Sequence, residues 1–154
     1  MESHHDTSLP PRDVPRAFEQ RLGLLLVRTG DLIAAHGNQA LEDEIGIDGR
    51  DYTALAVIEY DQPSSQQELA RLMGKAPAMC VGMLDELEEA GLVARVRDPK
   101  DRRRSVVTLT DQGRKQLTAA DALARRIEET VLGELPADDR ALLLRALGGV
   151  AARA

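Results

Sequence analysis

Aromatic residues are nearly missing from this sequence: 154 residues hold no tryptophan, one phenylalanine and two tyrosines. So few rings cannot form a stacking cage, and any small-molecule pocket must be mainly aliphatic. The single cysteine, Cys80, excludes an internal disulfide and a cysteine-based zinc site within one chain, and it fits a reducing cytoplasm. No apolar run approaches the ~18 residues of a membrane-spanning helix. Met1-Glu2-Ser3-His4-His5-Asp6 has neither a basic start nor an apolar stretch, so no signal peptide is expected. A glycine-rich phosphate loop, a zinc-binding histidine pair on one helix and a Gly-x-Ser-x-Gly elbow are all lacking, which argues against an enzyme. No cofactor and no metal are expected; His4-His5 belongs to a polar tail, residues 1–13, with little to bury.

What is present is aliphatic and charged. The chain is 43% hydrophobic and 30% charged, with a formal net charge of −6. That composition supports one domain with a real core. The acidic balance argues against indiscriminate binding to nucleic acid, but an average conceals a local patch.

Apolar residues recur at helical spacing from Val14 to His36, through Phe18, Leu22, Leu25, Leu32 and Ile33. Leu24, Leu26 and Val27 widen the stripe beyond one face, so this helix needs more than one partner. Gly37 is placed to cap it, and residues 42–50 form a connection. A second helix is expected from Tyr52 to Tyr60, ended by Asp61-Gln62-Pro63. Ser65 and Glu68 have capping-box spacing, and the helix behind them turns Leu69, Leu72 and Met73 inward before Gly74. The next helix starts near Pro77, buries Cys80, Met83, Leu84 and Leu87, and closes at Gly91. Two short helices around a glycine-containing turn give a helix-turn-helix outline. Residues 92–97 and 105–109 are strands of a hairpin. Thr110 caps a long helix to about Gly133, and a last helix carries Leu142, Leu143, Leu147 and Val150 beside Leu144.

Residues 95–104 hold six basic side chains, Arg95, Arg97, Lys100, Arg102, Arg103 and Arg104, against Asp98 and Asp101. This +4 segment belongs to a chain of net charge −6, so the remainder sums to −10. An arginine-rich hairpin tip beside a groove-sized helix can lie along phosphates or enter a minor groove.

This order of elements resembles the MarR family of bacterial transcriptional regulators. The resemblance rests on Leu69-Ala70-Arg71-Leu72-Met73-Gly74, on residues 84–93, and above all on Arg95, Asp98-Pro99-Lys100-Asp101-Arg102-Arg103 and Val107-Thr108-Leu109-Thr110-Asp111-Gln112-Gly113. It covers about residues 14–153. It implies a mainly α fold with a small β-hairpin wing, a winged helix-turn-helix with a helical dimerisation region. Residues 14–48 and 111–154 would form the dimer, and residues 50–110 the DNA-binding lobe. A homodimer accounts for the wide stripes of the first and last helices and for Leu142-Leu143-Leu144. The implied function is a repressor bound to a pseudo-palindromic double-stranded DNA site and released by a small-molecule effector.

Carried over by position, Asp101 would pair with an arginine and hold the wing, and Arg102 and Arg103 would meet phosphate or minor groove. Ser65 and Gln66 would donate to phosphate, and residues 76–86 would form the recognition helix. The sequence departs from the family there. Its exposed positions are Ala76, Pro77, Ala78, Met79, Val81 and Gly82, with Lys75 before them and Glu86 after. Direct readout relies on Arg, Lys, Asn or Gln, whereas Ala78, Met79 and Val81 offer apolar contact to thymine methyls. Two readings stay open: DNA read mainly through wing and shape, or an apolar face with degenerate base readout that binds a ligand or protein instead. For an effector, Arg28, Leu32, His36, Tyr52 and Tyr60 are the candidate liners. Cys80, on the inward stripe, is expected to act as a small hydrophobe.

Overall fold

A computed structural model describes residues 14–18, 20–97 and 105–153. Six helices and one hairpin follow in the order α1 (Leu22–Glu44), α2 (Gly49–Asp61), α3 (Gln66–Leu72), α4 (Pro77–Glu89), β1 (Val93–Arg97), β2 (Ser105–Leu109), α5 (Asp111–Leu132) and α6 (Ala137–Ala151). They fall into two compact units, Ala34–Leu123 and the pair Met1–Ile33 with Ala124–Ala154.

The unit Ala34–Leu123 is built around an aliphatic core. Leu55 and Ile58 of α2, Leu69 of α3, Cys80, Met83, Leu84 and Leu87 of α4, and Leu117, Ala120 and Leu123 of α5 are all buried. The expected inward stripe of α4 is therefore the one that packs. Leu72 departs from its expected place: it is 38% exposed, in the last turn of a seven-residue helix that leads straight into the exposed turn, while Met73 is half-buried.

The first helix also differs from the expectation. It begins at Leu22 rather than Val14 and runs through Gly37 to Glu44. Gly37 faces open space where a Cβ would stand. Its cost of roughly 1 kcal/mol in a helix interior is outweighed because the apolar pattern resumes and buries Leu41. The chain leaves the helix at Gly46, where φ is +80° and the N–H donates to the Leu41 carbonyl at 2.9 Å. The connection shrinks accordingly, and Asp48 caps α2 by accepting from the Asp51 N–H at 2.8 Å.

Strands β1 and β2 pair antiparallel, with Val93 opposite Leu109 and Arg97 opposite Ser105. Thr110 fixes the start of α5 against the root of this hairpin: its Oγ1 accepts from the Gly113 N–H at 3.0 Å and donates to the Gly91 carbonyl at 2.6 Å. The approach is so close that a Cβ on Gly113 would lie 2.0 Å from the Leu92 carbonyl oxygen.

In the other unit, Arg140 of α6 donates to the Leu132 carbonyl and to Glu129, both at 2.9 Å, and so holds α6 against the end of α5. No residue of α6 is buried. Leu142 is 58% exposed and Leu144 76%, and Leu22 and Val27 of α1 are exposed as well.

Candidate nucleic-acid interface

Helices α3 and α4 form the helix-turn-helix. Ser65 caps α3, its Oγ accepting from the Glu68 N–H at 3.1 Å. The reciprocal arm of the capping box is shifted by one residue, because Glu68 Oε2 takes the N–H and hydroxyl of Ser64 at 2.8 and 2.7 Å. Gly74, at φ +62°, turns the chain, and the Lys75 N–H closes the turn on the Ala70 carbonyl at 2.9 Å. Pro77 opens α4, where its fixed φ is suited and its missing N–H costs nothing. Ala76 supplies no side-chain cap.

Burial of Cys80, Met83, Leu84 and Leu87 fixes which way α4 faces. With 3.6 residues per turn, Ala78, Met79, Gly82, Asp85, Glu86 and Glu89 lie away from the core; all six are exposed. That outer face has two halves. Its first turns are apolar, with Met79 63% exposed and open space around Gly82. Its last turns are acidic.

Each acidic group near the junction meets an arginine. Arg50, at the start of α2, donates to Glu86 at 2.8 Å and lies 3.3 Å from Asp51 and 3.8 Å from Asp48. Partial burial opposes its charge, but the bond to Glu86 and the two neighbouring carboxylates outweigh burial and raise its pKa above the ordinary arginine value. Arg95, on β1, pairs with Asp85 and Glu88 of α4, and its backbone N–H also donates to Glu88 at 3.2 Å. The hydrogen bond to Asp85 is the main cause of a raised Arg95 pKa. The two arginines offset part of the acidic charge at the end of α4, which also carries Glu89, and Arg95 ties β1 to that helix.

Arg95, expected at phosphate, is thus engaged within the chain. Arg97 is exposed at the end of β1. Lys100, Asp101, Arg102, Arg103 and Arg104 lie outside the described residues. Ser65 and Gln66 are half-buried at the start of α3, and Lys75, Pro77 and Ala78 are exposed.

The expected ligand liners are distributed otherwise. The hydroxyls of Tyr52 and Tyr60, two turns apart on α2, both donate to the carboxylate of Asp121 on α5, at 2.9 and 2.6 Å. Arg28 stands over the Phe18 ring, 5.6 Å from its centre. Leu32 is half-buried and His36 exposed. A cavity of about 490 Å³ lies between the end of α2, β2 and the start of α5, lined by Ile58, Pro63, Val107, Leu109 and Arg114 among others; none of the five expected liners belongs to it. Neither Arg50 nor Asp121 was legible as a site residue, since their partners are 36 and more than 60 residues away.

The chain matches the family model described as "MarR family" over residues 50–105. It is 31% identical over 121 residues to the HTH-type transcriptional repressor Mb2911 of Mycobacterium bovis, covering 79% of this chain and 86% of that one. It is 34% identical over 93 residues to the HTH-type transcriptional repressor NicR of Pseudomonas putida, a match that spans 60% of this chain and 59% of NicR's length. Among solved structures, CouR from Rhodococcus jostii RHA1 bound to p-coumaroyl-CoA superposes with a TM-score of 0.77 at 31% identity, over 86% of this chain and 92% of that one. CouR bound to a 23-mer DNA duplex gives 0.77 at 29% identity, over 92% and 99%.

Proposed function

This chain belongs to the MarR family, and on that premise we propose that it is a non-enzymatic, DNA-binding transcriptional repressor. It acts in the cytoplasm as a homodimer on a pseudo-palindromic site with half-sites about one helical turn apart. The observation that carries the reading is the join between α4 and the hairpin: Arg95 holds β1, the strand that leads in sequence into the arginine-rich residues 97–104, to α4. Phosphate attraction then supplies affinity, and the helix enters the major groove. Residues 14–48 and 111–154 supply the dimer, in keeping with the exposed leucines of α1 and α6. No described helix is long and apolar enough to cross a membrane.

One relative adds a regulatory side to the proposal. CouR has been solved with p-coumaroyl-CoA and with DNA; for this chain a small effector that loosens DNA binding is proposed, with Tyr52 and Tyr60 as its polar contacts. The test is fluorescence anisotropy of the purified protein on duplex from upstream of its own gene, beside a scrambled duplex, across a salt series. Preference for the upstream duplex is expected, with Arg103→Ala lowering the salt slope by about one to two per dimer. Equal, weak binding to both duplexes that vanishes at physiological salt would overturn the reading and favour a protein partner for the apolar face of α4.

A further inference from the structure

We infer that the recognition helix of this chain reads thymine by its 5-methyl group rather than by hydrogen bonds to base edges. The inference rests on the proposed DNA-binding function and assigns the chemistry of its contact. The outward positions in the first two turns of α4 are Ala78, Met79 and Gly82. None carries a donor or acceptor able to form the bidentate pairs that distinguish guanine or adenine. Met79 is 63% exposed, and Val81, on the flank of the same turns, is 43% exposed. A surface of this kind is unfavourable in water, and the described residues leave it uncovered.

The major groove offers one apolar feature that marks sequence, the thymine methyl. Three observations favour this occupant over an apolar peptide. With Arg95 held by Asp85 and Glu88, the sequence that follows it still carries a net +3 over residues 96–104 of an otherwise acidic chain. The acids bordering the apolar turns, Asp85 and Glu86, are paired to Arg95 and Arg50 and so do not oppose a polyanion. Gly82 has no Cβ and nothing around the place of one, so the helix backbone can come close to the groove floor. Met79, unbranched and polarisable, can follow the position of a methyl without a fixed hydrogen-bond geometry.

The experiment changes only that methyl. A duplex pool with a randomised centre is selected on the full-length protein, and the winning duplex is resynthesised with deoxyuridine at one thymine position of each half-site in turn. Removing a buried methyl weakens binding about fourfold, or about fifteenfold when both half-sites lose it. At least one symmetric pair of thymines is expected to show this loss, and Met79→Ala is expected to shrink the ratio between the thymine and deoxyuridine duplexes. Met79 is exposed, so this variant keeps its core. A selected duplex that binds equally with thymine or deoxyuridine at every position would overturn the inference while leaving the repressor reading intact. A pool from which no duplex is enriched would overturn both.

Discussion

The unit Ala34–Leu123 and the unit formed by the two ends of the chain spend their leucines in opposite ways. Every buried apolar side chain among the described residues lies between Leu41 and Leu123. Helix α6, with Leu142, Leu143, Leu144 and Leu147, buries none. The first unit completes its core within one chain. The second presents apolar surface of the kind that marks an interface, which is why a second copy is the proposed partner. The same contrast recurs within α4, where one face is core and the opposite face leaves Met79 in solvent.

The comparison can be broken most severely in the core. Leu84→Ala removes a fully buried side chain and should cost about 3 kcal/mol, read as a lowered denaturation midpoint. A smaller loss would mean that α4 is loosely packed. Next come the glycines. Gly113→Ala sets a Cβ against the Leu92 carbonyl and should cost about 1–3 kcal/mol. Gly82→Ala meets only open space and should stabilise the fold by up to about 1 kcal/mol; thermal melts of the two variants must move in opposite directions. Smaller again is Arg50. Its pairing with Glu86 is exposed, so a cycle of Arg50→Ala and Glu86→Gln should give a coupling of about 0.5 kcal/mol in stability. Its larger signature is weaker DNA binding by Arg50→Ala, relieved by adding Glu86→Gln.

The smallest effect concerns Asp51. Burial first, and the neighbouring Asp48 second, push its carboxyl above the usual range, against the opposing pull of Arg50. Its Oδ1 is buried, 3.3 Å from the Arg50 guanidinium but not hydrogen-bonded. A raised folded-state pKa means that this group favours the fold when protonated. That contribution is fully present below the unfolded carboxylate value of about 3.9 and is lost as pH rises through the folded value. At neutral pH the ionised group is a cost, so Asp51→Asn should be neutral to slightly stabilising there and should flatten this part of the stability profile. A clear loss at neutral pH would contradict the sign.

Much of the fold was legible because it is locally encoded. Ser65, Pro77, Gly91 and Thr110 act where their backbone preferences place them, and the β2 strand, Ser105–Leu109, stands where its β-branched residues suggest. The end of α1 was not legible, since Gly37 looks like a stop and only burial of Leu41 carries the helix past it. At the site, the apolar face of α4 follows from spacing alone. The tertiary contacts do not: Arg50 of α2 pairs with Glu86 of α4, and Tyr60 of α2 donates to Asp121 of α5, neither with a local signature. The charge count over the hairpin also treated Arg95 as available to phosphate, whereas it is held by Asp85 and Glu88.

The central claim, that the end helices are completed by a second copy and the DNA-binding unit by its own core, is tested most directly by sedimentation velocity of the full chain and of Leu144→Asp, each with circular dichroism and with the upstream duplex. The wild type should sediment as two chains at micromolar concentration and bind one duplex as a pair. Leu144→Asp should keep its helical signal, sediment as one chain and lose most of its DNA affinity. A wild type that sediments as a single chain, or a Leu144→Asp variant that remains paired, would contradict the claim.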